Sequence, residues 1–553
     1  MASTSRPGRL LLATALALAT SGAGATALAA PTAQTGNVTP PAAAPVNAQD
    51  FSAFVNRVRK TFDVPGIAVG IVKDGKVVMA QGFGLREMNK SARVDGHTLF
   101  AIASNTKAFT AAALNMLADE GKLDMNERVI DVLPWFRMSD PNVTYEMRIR
   151  DLLAHHSGLS LGAGDLLYWP TTDYTMKQVV QHLARVPLKH GFRSHYAYDN
   201  ILFGVAAEVI EKVSGQSYGD FLRQHIFKPV GMTGTRVNYL NFKPGDTNIA
   251  TGQAKYNYTT LKPVAPLSWS NNMGAGGLYS SAADLDKWMI TQLNGGKLTP
   301  AINGQGGRLF SKKAHQQMWS MITPIPVHAP SVPALKAAEP QFYGYGEGWF
   351  LSDYRGHKMV WHTGGWPGFV SRVTMVPGMN LGVVVLTNQQ SGAAFQAITM
   401  HVLDAYMHAP RTDWIAGYKA AVDKSHQKAD AQWDKHKAER DKSAGPSLPL
   451  KGYAGTYEDP WYGKVYIKDE GGKLMMRFAH TKQLVGILQP WQHDTFIVHW
   501  NDRSLNADAF VNFALDPDGH VRQVRMQAVS SRTDFSFDFQ DLRLKPVKQD
   551  DHN

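Results

Sequence analysis

Two groups of β-type segments enclose a long helical stretch, and that order constrains the fold more than any other feature of the chain. Ile67-Ala-Val-Gly-Ile-Val and Val77-Val-Met-Ala-Gln-Gly-Phe flank Lys73-Asp-Gly-Lys76, so two β-rich runs meet at an Asp-Gly turn and predict a hairpin. A helix precedes it, from Phe51-Ser-Ala-Phe-Val-Asn-Arg-Val to near Val64-Pro-Gly66. From about residue 99 to 300 the signals are mostly helical, as in Arg150-Asp-Leu-Leu-Ala-His, Met176-Lys-Gln-Val-Val-Gln-His-Leu and Ile201-Leu-Phe-Gly-Val-Ala-Ala-Glu. Strand signals return in Lys358-Met-Val-Trp-His, Phe369-Val-Ser-Arg-Val-Thr-Met-Val and Leu381-Gly-Val-Val-Val-Leu-Thr, and a helix follows at Ala394-Phe-Gln-Ala-Ile-Thr-Met. Strands, helices, then strands predict a sheet closed from both ends of the domain with a helical subdomain inserted, which is α+β and not a strand-helix alternation.

The rest of the chain divides around this block, taken as residues 50–410. Residues 411–447 form a charged, helix-prone stretch and a linker, with Trp414, Ile415, Tyr418 and Trp433 as docking contacts and Ser443-Ala-Gly-Pro-Ser-Leu-Pro-Leu450 as the connection. Residues 448–547 then carry short alternating runs, among them Lys464-Val-Tyr-Ile, Leu474-Met-Met-Arg-Phe, Thr495-Phe-Ile-Val-His-Trp and Phe535-Ser-Phe-Asp-Phe-Gln-Asp-Leu. Regular spacing with turn residues between them predicts a small antiparallel β-barrel or sandwich.

At the other end, Arg6 and Arg9 precede Leu10-Leu-Leu-Ala-Thr-Ala-Leu-Ala-Leu-Ala, and small residues lead to Ala27-Leu-Ala-Ala-Pro31. A basic start, a short apolar run and an A-x-A site read as a secretory signal peptide over residues 1–29, which predicts an exported protein, periplasmic or secreted. Residues 30–49, rich in Pro, Ala, Thr and Asn, read as a disordered spacer. No other stretch is apolar enough to span a bilayer, so no integral membrane span is expected once the leader is removed. The chain has no cysteine, which excludes thiol catalysis and a Cys-ligated metal. Its formal charge of +11, two units of it in the leader, is spread without a basic run, so nucleic acid is not an expected partner. With no His-Glu-x-x-His and no phosphate loop, neither a metal nor any other cofactor is expected.

Four serines compete for chemistry. Ser104 and Lys107, in Ala101-Ile-Ala-Ser-Asn-Thr-Lys, stand three apart at a helix start, so a hydroxyl and an amine share one face. Ser425 and Lys428 repeat the spacing in a polar run that reads as a solvated helix face. Gly158-Leu-Ser-Leu-Gly162 and Gly215-Gln-Ser-Tyr-Gly219 match the G-x-S-x-G elbow, but they follow helical segments and not strands, so they read as glycine-assisted helix ends. The apolar flanks of Ser104 set it apart.

A serine with a lysine base needs the amine desolvated, a proton route and an oxyanion hole. Tyr198, in Tyr198-Asp-Asn200, offers a phenol for the relay, and Asn200 an amide for Lys107 and substrate. Trp361-His-Thr-Gly-Gly-Trp-Pro-Gly368 offers a strand edge where His362 can donate to substrate and the Gly365 N–H can pair with that of Ser104.

In the order Ser104-x-x-Lys107, Tyr198-x-Asn200, His362-Thr363-Gly364, these residues resemble the active-site triplet of the serine β-lactamase and penicillin-binding family. The likeness is to the class C β-lactamases and their D-peptidase and esterase relatives, and it extends over residues 50 to 410 through His155-His-Ser-Gly-Leu159, Lys228-Pro-Val-Gly-Met232 and Gly274-Ala-Gly-Gly-Leu-Tyr-Ser-Ser281. The resemblance implies a β-lactamase/transpeptidase-like antiparallel sheet with a helical subdomain, and a tail like the β domain that some members append. It implies Ser104 as acylated nucleophile, Lys107 and Tyr198 as the proton-transfer pair, and Asn200, His362, Thr363, Gly364 and Gly365 as substrate-binding residues. Many members carry Lys where this chain has His362, which is largely neutral at pH 7. The expected activity is therefore acyl-enzyme hydrolysis of a D-amino-acid peptide, an ester or a β-lactam, with the first two favoured and a small-molecule or peptide substrate of cell-wall type. The alternative is a penicillin-recognising or envelope-binding protein that is acylated without efficient turnover.

Overall fold

The computed structural model describes residues 47–547, so the leader and nearly all of the spacer expected before residue 50 lie outside them. The helix expected from Phe51 spans Ala48–Thr61 (α1), and the Asn47 side chain caps it by accepting from the N–H groups of Gln49 and Asp50. Residues 48 and 49, expected in the spacer, belong to this helix. Phe51, Phe54, Val55 and Val58 are buried at helical spacing.

The hairpin follows as β1 (Gly66–Lys73) and β2 (Lys76–Gly84). Its turn holds Asp74 and Gly75 at φ 51° and 73°, the two positive angles that let a two-residue loop match the strand twist. Six more strands complete the sheet: β3 (Thr323–Pro324), β4 (Tyr343–Tyr345), β5 (Phe350–Tyr354), β6 (His357–Trp366), β7 (Phe369–Val376) and β8 (Leu381–Thr387). The order is β2-β1-β8-β7-β6-β5-β4-β3 with antiparallel neighbours, so the N-terminal hairpin joins the C-terminal strands through β1 and β8. The expected closure from both ends is what forms.

Both faces of this sheet are covered, which is why β1 and β8 read as unbroken apolar runs. Ile67, Val69, Ile71, Val383 and Val385 share a core with α1 and with α5 (Gly392–Tyr406). Ala68, Val72, Val384 and Leu386 face the larger core, which holds α2 (Thr106–Asp119), α3 (Ile201–Ser214) and α4 (Ala282–Leu293). Every residue of α2 from Thr106 to Leu117 is buried, so this helix is surrounded on all sides. The segment Arg150–His155, expected as a helix, is a 3-10 turn over Ile149–Leu153. Among the described residues no helix is long and apolar enough to cross a membrane.

Helix α6 (Trp414–Glu439) leads to the tail. Trp414 is buried, its indole N–H donating to Asp404 at 2.8 Å, and Trp433 lies 5.3 Å from the ring of Trp491 in the tail. The tail is a second eight-stranded antiparallel sheet: β9 (Gly455–Asp459), β10 (Gly463–Asp469), β11 (Leu474–Phe478), β12 (Val485–Gln492), β13 (Thr495–Trp500), β14 (Ala509–Leu515), β15 (Val521–Ala528) and β16 (Lys545–Pro546). Its order is β15-β14-β13-β12-β11-β10-β9-β16, and a bridge between Val524 and Leu544 nearly closes it into a barrel.

One expected strand is absent. Phe535-Ser-Phe-Asp-Phe-Gln-Asp-Leu is an irregular segment ending in a 3-10 turn at Phe539–Asp541. Its alternation does not follow the sheet: Phe537 and Phe539 are buried, and so are Ser536 and Asp538, while Phe535 is 41% exposed. Asp538 and Asp541 there accept bonds from the block of residues 50–410, so the backbone is held by side chains and not by a ladder.

Candidate active site

The chain reaches Ser104 through a constrained turn. The short strand Phe100–Ala101 pairs with Tyr279–Ser280, then Ala103 takes φ 45°, a left-handed conformation that costs a residue with a Cβ roughly 1 kcal/mol or more. Ser104 follows in a 3-10 turn that runs into α2. The turn is tied to β7, because Asn105 Nδ2 donates to Ser371 Oγ at 2.8 Å and Ser371 Oγ donates to the Ile102 carbonyl at 2.8 Å. Strand β6 crosses the same carbonyl so closely that a Cβ on Gly364 would lie 2.1 Å from it. Only glycine fits there.

One turn along α2, Lys107 is fully buried with its amine aimed at Ser104. Nζ lies 3.0 Å from Ser104 Oγ, 2.7 Å from Asn200 Oδ1 and 3.0 Å from the Ala275 carbonyl. Asn200 Nδ2 donates to Asp165 at 2.9 Å, which turns its Oδ1 toward the lysine. Two of the three neighbours of Nζ therefore only accept. A neutral amine has two N–H groups for them, and its lone pair is left facing the Ser104 hydroxyl. Burial supplies that neutral form, bringing Lys107 down to about 7 against the opposing pull of Asp165 and Asp199. Burial pushes both of those carboxyls up to about 7.

Tyr198 stands over this group, with Lys107 Nζ 4.8 Å from its ring centroid and the His155 ring centroid 4.1 Å away. Burial pushes its phenol up, and the hydrogen bond with the Ser104 hydroxyl opposes that shift. His155 is itself held by its Nδ1, which accepts from the Asp199 N–H at 3.2 Å.

Ser104, Tyr198, Asn200, His362, Thr363 and Gly365 meet around one pocket of about 260 Å³. Trp169, Trp269 and Phe350 give it aromatic walls, and the tail reaches it through Asp534, Phe535 and Ser536. Among the described residues no lysine or arginine lines it.

Two expected substrate contacts are placed differently. His362 borders the pocket, but Nδ1 donates to the Thr363 carbonyl at 2.6 Å and Nε2 accepts from the Tyr345 hydroxyl at 2.8 Å. Burial lowers its pKa to about 3, aided by Lys107, so it is neutral and both nitrogens are engaged. It has no free donor for a substrate. Gly364 serves the close crossing with Ile102 and does not reach the pocket.

The other serines lack such partners. Ser217 caps a short helix by accepting from the Asp220 N–H, and Gly215 at φ 70° ends α3. Ser160 donates to Asp541 at 3.2 Å, and Ser425 is exposed on α6. Sequence reasoning missed Asp165, Tyr345 and Ser536. None belongs to a local motif that spacing could single out. Among the described residues no group of three or more His, Cys, Asp or Glu is placed to hold a metal ion.

Comparison with known proteins bears on both halves of the chain. The family model described as Beta-lactamase matches residues 51–406, and one described as Domain of unknown function (DUF3471) matches residues 439–546. Unguisins hydrolase ungD' of Aspergillus campestris is 28% identical over 495 residues, covering 85% of this chain and 88% of its own. An octameric penicillin-binding protein homologue from Pyrococcus abyssi superposes with a TM-score of 0.56 at 21% identity, over 90% of this chain and 99% of that one. A class C beta lactamase from Rhodobacter sphaeroides gives a TM-score of 0.51 at 21% identity, over 65% of this chain and all of its own.

Proposed function

The chain belongs to the β-lactamase family and is a serine hydrolase of the β-lactamase type, and on that premise we propose that it works through a covalent acyl-enzyme on Ser104, with esters and uncharged amides as substrates. The observation that carries this reading is the triple coordination of Lys107 Nζ, which leaves its lone pair for the Ser104 proton. In acylation, Oγ attacks the carbonyl carbon as its proton passes to Nζ, and the carbonyl oxygen becomes an anion held by the Ser104 and Gly365 N–H groups. The intermediate collapses, the bond to the leaving group breaks, and Tyr198 relays the proton from Lys107 to the departing oxygen or nitrogen. Water then attacks the acyl carbon as its proton passes to the same pair, the bond to Ser104 Oγ breaks, and the pair returns the proton to Oγ as the acid leaves. The leader expected at residues 1–29 assigns this chemistry to the periplasm or the exterior.

The substrate class follows from the pocket's charges. A β-lactam or a C-terminal D-peptide brings a carboxylate, and among the described residues no cation lines the site to receive it, His362 being neutral with both nitrogens engaged. Neutral acyl groups meet no such penalty. A fluorophosphonate probe should label the wild type at Ser104 and leave Ser104→Ala unlabelled. Purified enzyme should turn over short 4-nitrophenyl esters faster than nitrocefin or D-alanyl-D-alanine peptides. Labelling that survives Ser104→Ala ends the nucleophile assignment, and preferred turnover of nitrocefin ends the substrate assignment.

A further inference from the structure

The pocket has a wall that the catalytic block does not supply. Phe535 and Ser536 come from the irregular segment between β15 and β16, far along the chain from Ser104, and still border the same cavity. Phe535 is 41% exposed, high for a phenylalanine so close to a buried core. Its ring stands edge-on to Tyr198 with centroids 6.0 Å apart. Beneath it lies Gly162 at φ 68°, where a Cβ would fall 2.7 Å from Phe535 Cδ2, so the block leaves room for this ring only by having no side chain there.

The segment is also anchored. Asp538 accepts from the N–H groups of Gly164 at 2.7 Å and Leu166 at 3.1 Å, Asp541 accepts from Ser160, and Lys189 pairs with Asp541. Ser536, itself buried, donates to Asp165 Oδ2 at 2.7 Å, the same oxygen that receives Asn200 Nδ2. An exposed aromatic ring on so firmly held a support is a preorganised surface, and the space it faces is the acyl pocket.

We propose that the C-terminal barrel is the substrate selector of this enzyme, with Phe535 forming the apolar wall that receives the acyl group of the substrate. This rests on the reading of Ser104 as the nucleophile. It assigns to the pocket acyl groups with an apolar, uncharged body long enough to pass Tyr198 and lie between Phe535 and the Trp169–Trp269 pair, whose rings are 5.5 Å apart. Ser536 is a positioning residue, setting the amide of Asn200 through Asp165 and thereby the acceptor that Lys107 sees.

The test compares full-length wild type with Phe535→Ala, Phe535→Leu and Phe535→Arg on 4-nitrophenyl acetate, hexanoate, phenylacetate and hemisuccinate. Phe535→Ala should lower kcat/KM for hexanoate and phenylacetate by roughly tenfold relative to acetate, the scale of a lost apolar pocket contact. Phe535→Leu should recover most of the hexanoate rate, and Phe535→Arg should raise the ratio of hemisuccinate to hexanoate. Because the ring is exposed, its truncation leaves no core cavity, and the leucine variant serves if alanine disturbs folding. Fluorophosphonate labelling of Ser104 is measured in every variant. Labelling that persists while the ester ratios stay at the wild-type values overturns the selector proposal alone. A wild type that does not label at Ser104 overturns the site reading, and the selector with it.

Discussion

The proposed role of Lys107 as base rests on what surrounds its amine. Burial removes water from the ammonium and brings its pKa to about 7, and two acceptor-only neighbours direct the lone pair at Ser104. Only the neutral amine is a base, so protonation on the acid side removes activity. We expect kcat/KM for an ester to rise about tenfold per pH unit up to about pH 7 and then level; a flat profile between pH 5 and 8 would falsify the assignment of the base. Lys107→Arg cannot deprotonate and should cut acylation by roughly 10²- to 10⁴-fold, read by the rate of fluorophosphonate labelling. These residues were legible because they sit in short motifs with apolar flanks. Asp165 was not: its link to Asn200 spans 35 positions and its link to Ser536 spans 371, distances over which no spacing rule operates. His362 was expected to be largely neutral and to donate to substrate; Tyr345 reaches its second nitrogen only once β4 and β6 are brought beside β5, a contact no local spacing announces.

At the level of elements, the site depends on how closely β6 can pass the turn before α2. Two adjacent glycines separate this packing effect from chemistry, since Gly364 has the Ile102 carbonyl 2.1 Å from its Cβ position while Gly365 has open space. Gly364→Ala should push the turn off the sheet, costing about 1–3 kcal/mol in urea unfolding together with most of the activity. Gly365→Ala keeps its N–H and should unfold as the wild type does. A second device holds the 3-10 turn Ile149–Leu153, where Asp151 accepts from His156 at 2.9 Å and from Arg193 Nη2 at 2.6 Å. Burial alone would raise its pKa, but these bonds outweigh it and hold the carboxyl at about 2. Against an unfolded value of about 3.9, that is worth about 2–3 kcal/mol above pH 4, lost as the pH falls toward 2. Asp151→Asn should therefore lower the unfolding free energy by that order at pH 7 and by much less near pH 2. The long strands were foreseeable because a sheet covered on both faces leaves continuous apolar runs, whereas the short strands Thr323–Pro324, at the edge, and Tyr343–Tyr345, beside it, leave too few residues for any pattern.

On the scale of the whole molecule, the barrel is joined to the block of residues 50–410 at several points, and Phe535 and Ser536 reach the pocket of Ser104. Tyr174 donates to the Tyr462 carbonyl at 2.6 Å, Tyr258 to the Asn506 carbonyl at 2.6 Å, and the carboxylate of Asp538 accepts from two backbone N–H groups of the segment that carries Asp165. The sequence disclosed the barrel through its alternating runs but misread its point of contact, since Phe535, Phe537 and Phe539 imitate a strand. What holds them is side-chain bonding by Asp538 and Asp541, which period-two reasoning does not register. Asp538 thus becomes the place to ask whether docking and hydrolysis are one property. An asparagine there has one acceptor oxygen for two N–H groups, which leaves a buried donor unpaired at about 1–3 kcal/mol. In Asp538→Asn we expect faster hydrogen exchange at the amides of Gly164 and Leu166, unchanged exchange in β10–β14, and a fall in ester hydrolysis, because Phe535 and Ser536 move with the loosened segment. Faster exchange without any loss of hydrolysis means that the barrel packs against the active site without contributing to it.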